Sequence, residues 1–283
     1  MDDAVEFGVL GPIRAVADGA AVAVGSPREK AVLARLVVDA NRVVSVDRLI
    51  DAVWQDEPPS SARSQIAIVV HRLRRGLGGH GVITTASPGY LLRLAAHQSD
   101  LLRFDNLVAR GRAAAADGDL GGAAGLLREA LSLWRGAPLE DLPGLRGDST
   151  RLEQARLDVV ETWAEVELEL GHHVRVGEEL AVVVAEHPLR ERVRAQLMLA
   201  QYRAGRRADA LRTYQEARRT LIEQIGLEPG PELRRLHEQI LRDSPALTGR
   251  RPAPLPPVAP VVVTEPSTAR WPGRGTTVPQ FKQ

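Results

Sequence analysis

Ile66, Val70, Leu73 and Leu77 recur at i, i+4, i+7 and i+11, the stripe of a helix packed on one side. Wound at about 3.6 residues per turn, that helix carries Ser64, Ile68, His71, Arg72 and Arg75 on the face opposite the stripe. Ser61 and Gln65 flank its start, and Arg63 and Arg74 lie nearer the buried edge. Ser60 or Ser61 is placed to cap it, after Pro58-Pro59 has ended the helix before. That preceding helix opens at Ser45 and buries Val46, Leu49, Ile50 and Val53. A first helix begins at Ser26-Pro27-Arg28-Glu29, with a serine cap, a proline at the first position and a glutamate suited to a capping box. It runs to about Ala40 on Val32, Leu33, Leu36 and Val37. Alternating segments, Val5–Val9, Ile13–Val16 and Ala21–Val24, precede it as short antiparallel strands. Beyond the third helix, Val82–Thr85 and Tyr90–Leu94 read as two strands joined by Ser87-Pro88-Gly89.

From Leu101 onward the pattern is helical and alanine-rich. Gly171 and Gly205 stand 34 residues apart, the period of tetratricopeptide helix pairs. At five, nine and twelve residues past each glycine come Val176, Leu180 and Val183, then Ala210, Tyr214 and Ala217. Gly118 gives Ala123, Leu127 and Ala130 in the same places. A small, large, small spacing of this kind suits close helix-on-helix packing. The 53-residue step from Gly118 to Gly171 accommodates an extra loop from Trp134 to Gly147 and a longer helix from Thr150 to Leu170. Pro231–Leu241 reads as a closing helix. The expected architecture is therefore mainly α with a small β component: an N-terminal winged helix-turn-helix over residues 1–97, an all-α tetratricopeptide-like helical repeat over 98–247, and an extended, proline-rich disordered tail over 248–283.

Charge sharpens the first of these. The chain nets only +1, yet Pro58 to Ser99 contains no aspartate or glutamate and holds Arg63, Arg72, Arg74, Arg75 and Arg93. A helix entering a DNA groove has phosphates on both sides, which repel carboxylates. Arg72 and Arg75 are expected in or along the major groove, with Ser61, Ser64, Gln65, Ile68 and His71 as candidate base or phosphate contacts. Arg63, Arg74 and the wing residues Thr84, Thr85 and Arg93 are expected on the backbone.

Catalytic chemistry finds no footing. There is no cysteine, no phosphate-binding loop, no nucleotide fingerprint and no nucleophile elbow, so no catalytic residue, metal site or cofactor is assigned. His172-His173 reads as a pair of solvated turn histidines, and Glu165, Glu167 and Glu169 as a solvated helix face. No apolar run approaches the roughly 20 residues of a bilayer span, and the acidic start Met1-Asp2-Asp3 is unlike a secretory signal. A non-enzymatic cytoplasmic, nucleoid-associated protein is expected. A rival reading remains open at this point, in which the helical repeat is a protein-binding adaptor and the DNA-like part is vestigial.

Three helices and a hairpin behind leading strands resemble the winged helix of OmpR-type output domains. Several stretches together resemble the SARP family, the actinomycete antibiotic regulatory activators: Phe7–Pro12, Pro58-Pro59 with Ala62–Gln65, Val70–Gly78, Pro88–Leu92, Leu131–Gly136 and Gly226–Leu233. The resemblance implies a transcriptional activator that binds direct repeats of promoter DNA beside the −35 element, as a homodimer on DNA. It also implies recruitment of RNA polymerase holoenzyme through the sigma factor and other subunits, at secondary-metabolite (antibiotic) clusters. One departure stands out: Ala67, Ile68 and Val69 occupy positions where family recognition helices often carry polar residues. Ile68 on the exposed face is expected to make a thymine methyl contact, or to loosen the base code, rather than to form a hydrogen bond.

Overall fold

The computed structural model describes residues 5–17, 19–77 and 82–248. The expected proline-rich tail beyond Thr248 and the Gly78–Gly81 connection lie outside them. Strands β1 (Glu6–Gly8), β2 (Arg14–Ala17) and β3 (Ala20–Val22) form an antiparallel sheet in sequence order. Alternation sends Phe7 and Ala15 inward. Helix α1 (Pro27–Val38) starts where expected, and the Ser26 hydroxyl accepts the Glu29 N–H at 3.3 Å. Only the serine half of the anticipated capping box forms; of the Glu29 carboxylate oxygens, one lies over Gly25 and the other 3.7 Å from Arg72.

One strand escapes the hydrophobic pattern. β4 (Val43–Ser45) precedes α2 (Val46–Trp54), and pairs with β6 (Gly89–Leu92), which in turn pairs with β5 (Ile83–Ala86). The hairpin is therefore the outer part of a three-stranded sheet with β6 central. Three residues are too few for a period to show, and Ser45 also caps α2 by accepting the Arg48 N–H at 3.2 Å. Gly89 is required for this pairing, since a Cβ there would lie 1.9 Å from the Val44 carbonyl oxygen. Helix α3 (Ala62–Gly76) buries Ile66, Val70, Leu73 and, just beyond its end, Leu77 against α1 and α2.

The second half is a stack of helices: α4 (Asp100–Ala116), α5 (Leu120–Ser132), α6 (Arg146–Glu169), α7 (His173–Glu186), α8 (Glu191–Arg203), α9 (Arg207–Ile225) and α10 (Pro231–Leu241). The three periodic glycines share one turn. Gly118, Gly171 and Gly205 all have left-handed φ, of 82°, 87° and 77°. Each sits inside a Schellman motif, in which the N–H after the glycine reaches back five residues: Asp119 to Ala114, His172 to Glu167 and Arg206 to Gln201, at 2.8–3.0 Å. The residues twelve or fewer positions further on then pack inward. Ala123, Leu127, Ala130, Val176, Leu180, Ala210 and Ala217 are fully buried.

Two expectations about this half are corrected. Glu167 is 1% exposed rather than solvated. It accepts from Trp163 Nε1 at 3.1 Å, lies 2.5 Å from His172 Nδ1 and pairs with Arg175. Burial pushes its pKa up, but the hydrogen bonds and charge of His172 and Arg175 outweigh this and hold it below the usual value. His173 is likewise buried at the start of α7. The Schellman turn folds α7 back on α6, which turns one histidine inward and brings the other onto Glu167.

The winged and helical halves share one hydrophobic core and belong to a single unit. Asp100, in the first turn of α4, accepts the N–H groups of Val9 and Leu10 at 2.9 and 3.1 Å. Arg135 donates to Asp100 at 3.1 Å and to the Pro12 carbonyl at 3.0 Å. Arg35 of α1 reaches Asp148 of α6 through two hydrogen bonds, at 2.5 and 3.2 Å.

Candidate nucleic-acid interface

Once Ile66, Val69, Val70 and Leu73 are locked into the core, the outward face of α3 is fixed. Ser64, Ile68, His71 and Arg75 are all exposed on it, Ile68 by 52%. Val69, one of the apolar residues expected to distinguish this helix, is in the core and does not bear on recognition. Ala67 and Ile68 are outward.

The flanks of the helix are built differently. On one side, Arg63 pairs with Asp47 of α2 at 2.5 Å, both side chains exposed. Further along that side, Arg74 turns toward the wing. Its Nε donates to the Ile83 carbonyl at 2.9 Å, its Nη2 to the Thr85 hydroxyl at 3.0 Å, and its guanidinium lies 5.7 Å from the centre of the Tyr90 ring. The structure thus brings Arg74 and Thr85 together as a strut between α3 and the wing. The Thr84 hydroxyl donates within the hairpin to the Leu91 carbonyl at 3.4 Å, and Arg93 is exposed beyond it.

On the other side, Gln65 and Arg72 face the start of α1. Gln65 accepts from Arg28 at 2.7 Å and donates to Ser61 at 2.9 Å, while Arg72 lies beside Glu29. A groove of about 430 Å3 runs here, lined by Ser26, Pro27, Arg28, Gln65, Ile68, Val69 and Arg72. Arg28 was not singled out by the sequence. Its role shows only when α1 and α3 are placed side by side. The acid-free stretch is also less isolated in space than along the chain, because Asp47 and Glu29 arrive from outside it and pair with two of its arginines. Among the described residues Arg75 has no ion-pair partner, and it sits at the apex of the outward face.

No group of side chains able to hold a metal ion, and no helix long and apolar enough to cross a membrane, occurs among the described residues. A winged helix-turn-helix joined to a stack of paired helices defines a class of bacterial transcription regulators, and comparison with known proteins agrees. Residues 99–241 match the family described as Bacterial transcriptional activator domain, and residues 21–92 match Transcriptional regulatory protein, C terminal. The chain belongs to the SARP family. It is 43% identical to the regulatory protein AfsR of Streptomyces coelicolor over 247 residues, 86% of this chain and 25% of AfsR. It therefore spans about a quarter of that relative. It is 34% identical to the regulatory protein DnrI of Streptomyces peucetius over 261 residues, 88% of this chain and 96% of DnrI. A solved structure, Mycobacterium tuberculosis EmbR in complex with low affinity phosphopeptide, superposes with a TM-score of 0.81 at 38% identity, covering 87% of this chain and 68% of that one.

Proposed function

We propose that this protein is a sequence-specific transcriptional activator that reads promoter DNA with α3 and its wing and recruits RNA polymerase holoenzyme with α4–α10. The observation that carries the reading is the outward face of α3. Ser64, Ile68, His71 and Arg75 project from a helix whose other side is fully engaged in the core, and Arg75 has no acidic partner among the described residues. Such a face offers hydrogen-bond donors, an apolar contact for a thymine methyl and an unneutralised guanidinium for guanine or phosphate. DNA competes with Asp47 and Glu29 for Arg63 and Arg72; Arg63 serves the backbone, while Arg72 lies with Arg75 along the major groove. Thr84, Thr85 and Arg93 bring the wing to the adjacent backbone, with Arg74 holding the wing at its angle.

The DNA-reading unit is assigned to residues 1–97 and the activator unit to 98–247. Binding follows direct repeats beside the −35 element, two copies of the chain lie head to tail on the DNA, and the controlled genes form a secondary-metabolite cluster. The relatives' descriptions as regulatory proteins support a regulator of transcription.

DNase I footprinting on promoters flanking the gene, with and without holoenzyme, tests it. The expected result is protection over two direct repeats beside the −35 element, strengthened by polymerase and weakened steeply by salt. Replacing Arg75 with alanine is expected to cost about 1–3 kcal/mol of affinity and to relax the preference at one base pair. Absence of protection at moderate salt in both conditions would overturn the activator reading and favour a protein-binding adaptor built on the helical repeat.

A further inference from the structure

Gln65 is the one amide on the DNA side of α3, and both of its ends are engaged within the protein. Its Oε1 accepts from Arg28 at 2.7 Å and its Nε2 donates to the Ser61 hydroxyl at 2.9 Å. Arg28 is itself held, its guanidinium 5.2 Å from the centre of the Trp54 ring at the end of α2. A chain of contacts therefore runs Trp54, Arg28, Gln65, Ser61 across α2, α1 and α3. Arginine can only donate, so the atom of Gln65 facing Arg28 must be its oxygen. A glutamine amide that would otherwise turn over freely has one permitted orientation. An amide oxygen has two lone pairs and an amide nitrogen two hydrogens. After the contacts to Arg28 and Ser61, one acceptor site and one donor remain. That pair complements the N6 donor and N7 acceptor that adenine presents in the major groove.

We infer that Arg28 is a specificity-determining positioning residue, which with Ser61 sets the Gln65 amide for a bidentate contact to adenine. The inference rests on α3 being the DNA-reading helix and adds a part to it. Arg28 lies on α1, thirty-four residues before the start of α3 at Ala62. Without Arg28 the amide can turn over and offer its donor where its acceptor stood, so the preference for adenine fades even though Gln65 is intact. Ser61 makes no backbone cap to α3, so its hydroxyl can be removed without uncapping the helix.

The test uses the full chain and a pool of random-sequence duplexes. Selection with the unaltered protein defines the preferred site, and affinities are then measured for each substitution of each base pair. Gln65→Ala is expected to lower the preference for adenine at one base pair by about 5- to 150-fold. Arg28→Met and Ser61→Ala are expected to flatten the preference at that same base pair, and neither should flatten it further when combined with Gln65→Ala. Loss of the Arg28 charge also weakens every sequence, so the ratio between bases is the quantity read. If Arg28→Met weakens all sequences alike and leaves the adenine preference whole, Arg28 is a phosphate contact and the inference is overturned. It is equally overturned if Gln65→Ala flattens no base pair. If the unaltered protein selects no sequence, the assignment of α3 itself fails, and that outcome is distinct from either of the other two.

Discussion

Replacing Asp100 with alanine should destabilise the protein more than any substitution on the outward face of α3, because Asp100 fastens the winged half to the helical half. Its side chain is 7% exposed, and the backbone groups it serves belong to Val9 and Leu10, both fully buried. Alanine leaves two buried N–H groups without an acceptor, each at a cost of about 1–3 kcal/mol. The pair with Arg135 adds little, since a quarter of that arginine side chain is in water and an ion pair so placed contributes about 1 kcal/mol or less. The expected loss is about 4 kcal/mol. Asp100→Asn keeps one acceptor oxygen and turns an amide nitrogen toward a donor, so it should cost about half as much. Urea unfolding followed by circular dichroism measures both: the midpoint should fall, at unchanged slope, in the order unaltered, asparagine, alanine. If Asp100→Ala lies within about 1 kcal/mol of the unaltered protein, the two backbone N–H groups have found other partners, and the fastening is not where the geometry puts it.

Two further outcomes follow from single sites. Gly205→Ala should destabilise by about 1–2 kcal/mol, since φ there is 77° while no atom lies within 4 Å of the added carbon, so the cost is the backbone's alone; no change in the urea midpoint would contradict the Schellman geometry. His173 has its pKa lowered by burial, then by the charges of Arg203 and His172, from an ordinary 6.5. The unfolded chain therefore takes up a proton first, and the contribution of neutral His173 is present above about pH 6.5 and lost as pH falls from there toward the depressed folded value. Thermal unfolding across pH 5–8 should show a midpoint that declines below this point, and His173→Gln should flatten the decline; an equal decline in the variant would assign it to other groups.

What could be read from the chain follows from the distances over which each force acts. The α3 stripe, the Ser26 and Ser45 caps and the turns at Gly118, Gly171 and Gly205 are local. Each is set by residues within one or two turns of one another, and each is found where the spacing puts it. β4 was not legible, because three residues have no period and their reason for being extended is β6, more than forty positions away. The burial of Glu167 and His173 was not legible for a related reason. A glutamate on a helix reads as solvated until the next helix folds over it, bringing Arg175 and His172 to its carboxylate. The clearing of acids around α3 was legible as a sequence fact, but its reach in space was not, since Glu29 and Asp47 enter from α1 and α2.

The same distinction bears on how a regulator of this build would work. Had the winged half been tied to the helical half by a linker, the position of α3 relative to α4–α10 would be free, and any partner of the helical arm would meet it at a range of distances from the DNA. Instead Asp100 holds the strand end before α1, Arg35 of α1 holds Asp148 of α6, and the core runs continuously from Val5 to Ala200. Both attachments pass through α1 or the sheet that leads into it, and α1 is the helix on which α3 packs and from which Arg28 reaches Gln65. The orientation of α3 and the placement of α4–α10 are thus set by one set of buried groups. In the proposed activator, the register of α3 on its operator then fixes where the arm stands along the promoter. The spacing between operator and polymerase site becomes a property of the fold rather than of a flexible tether.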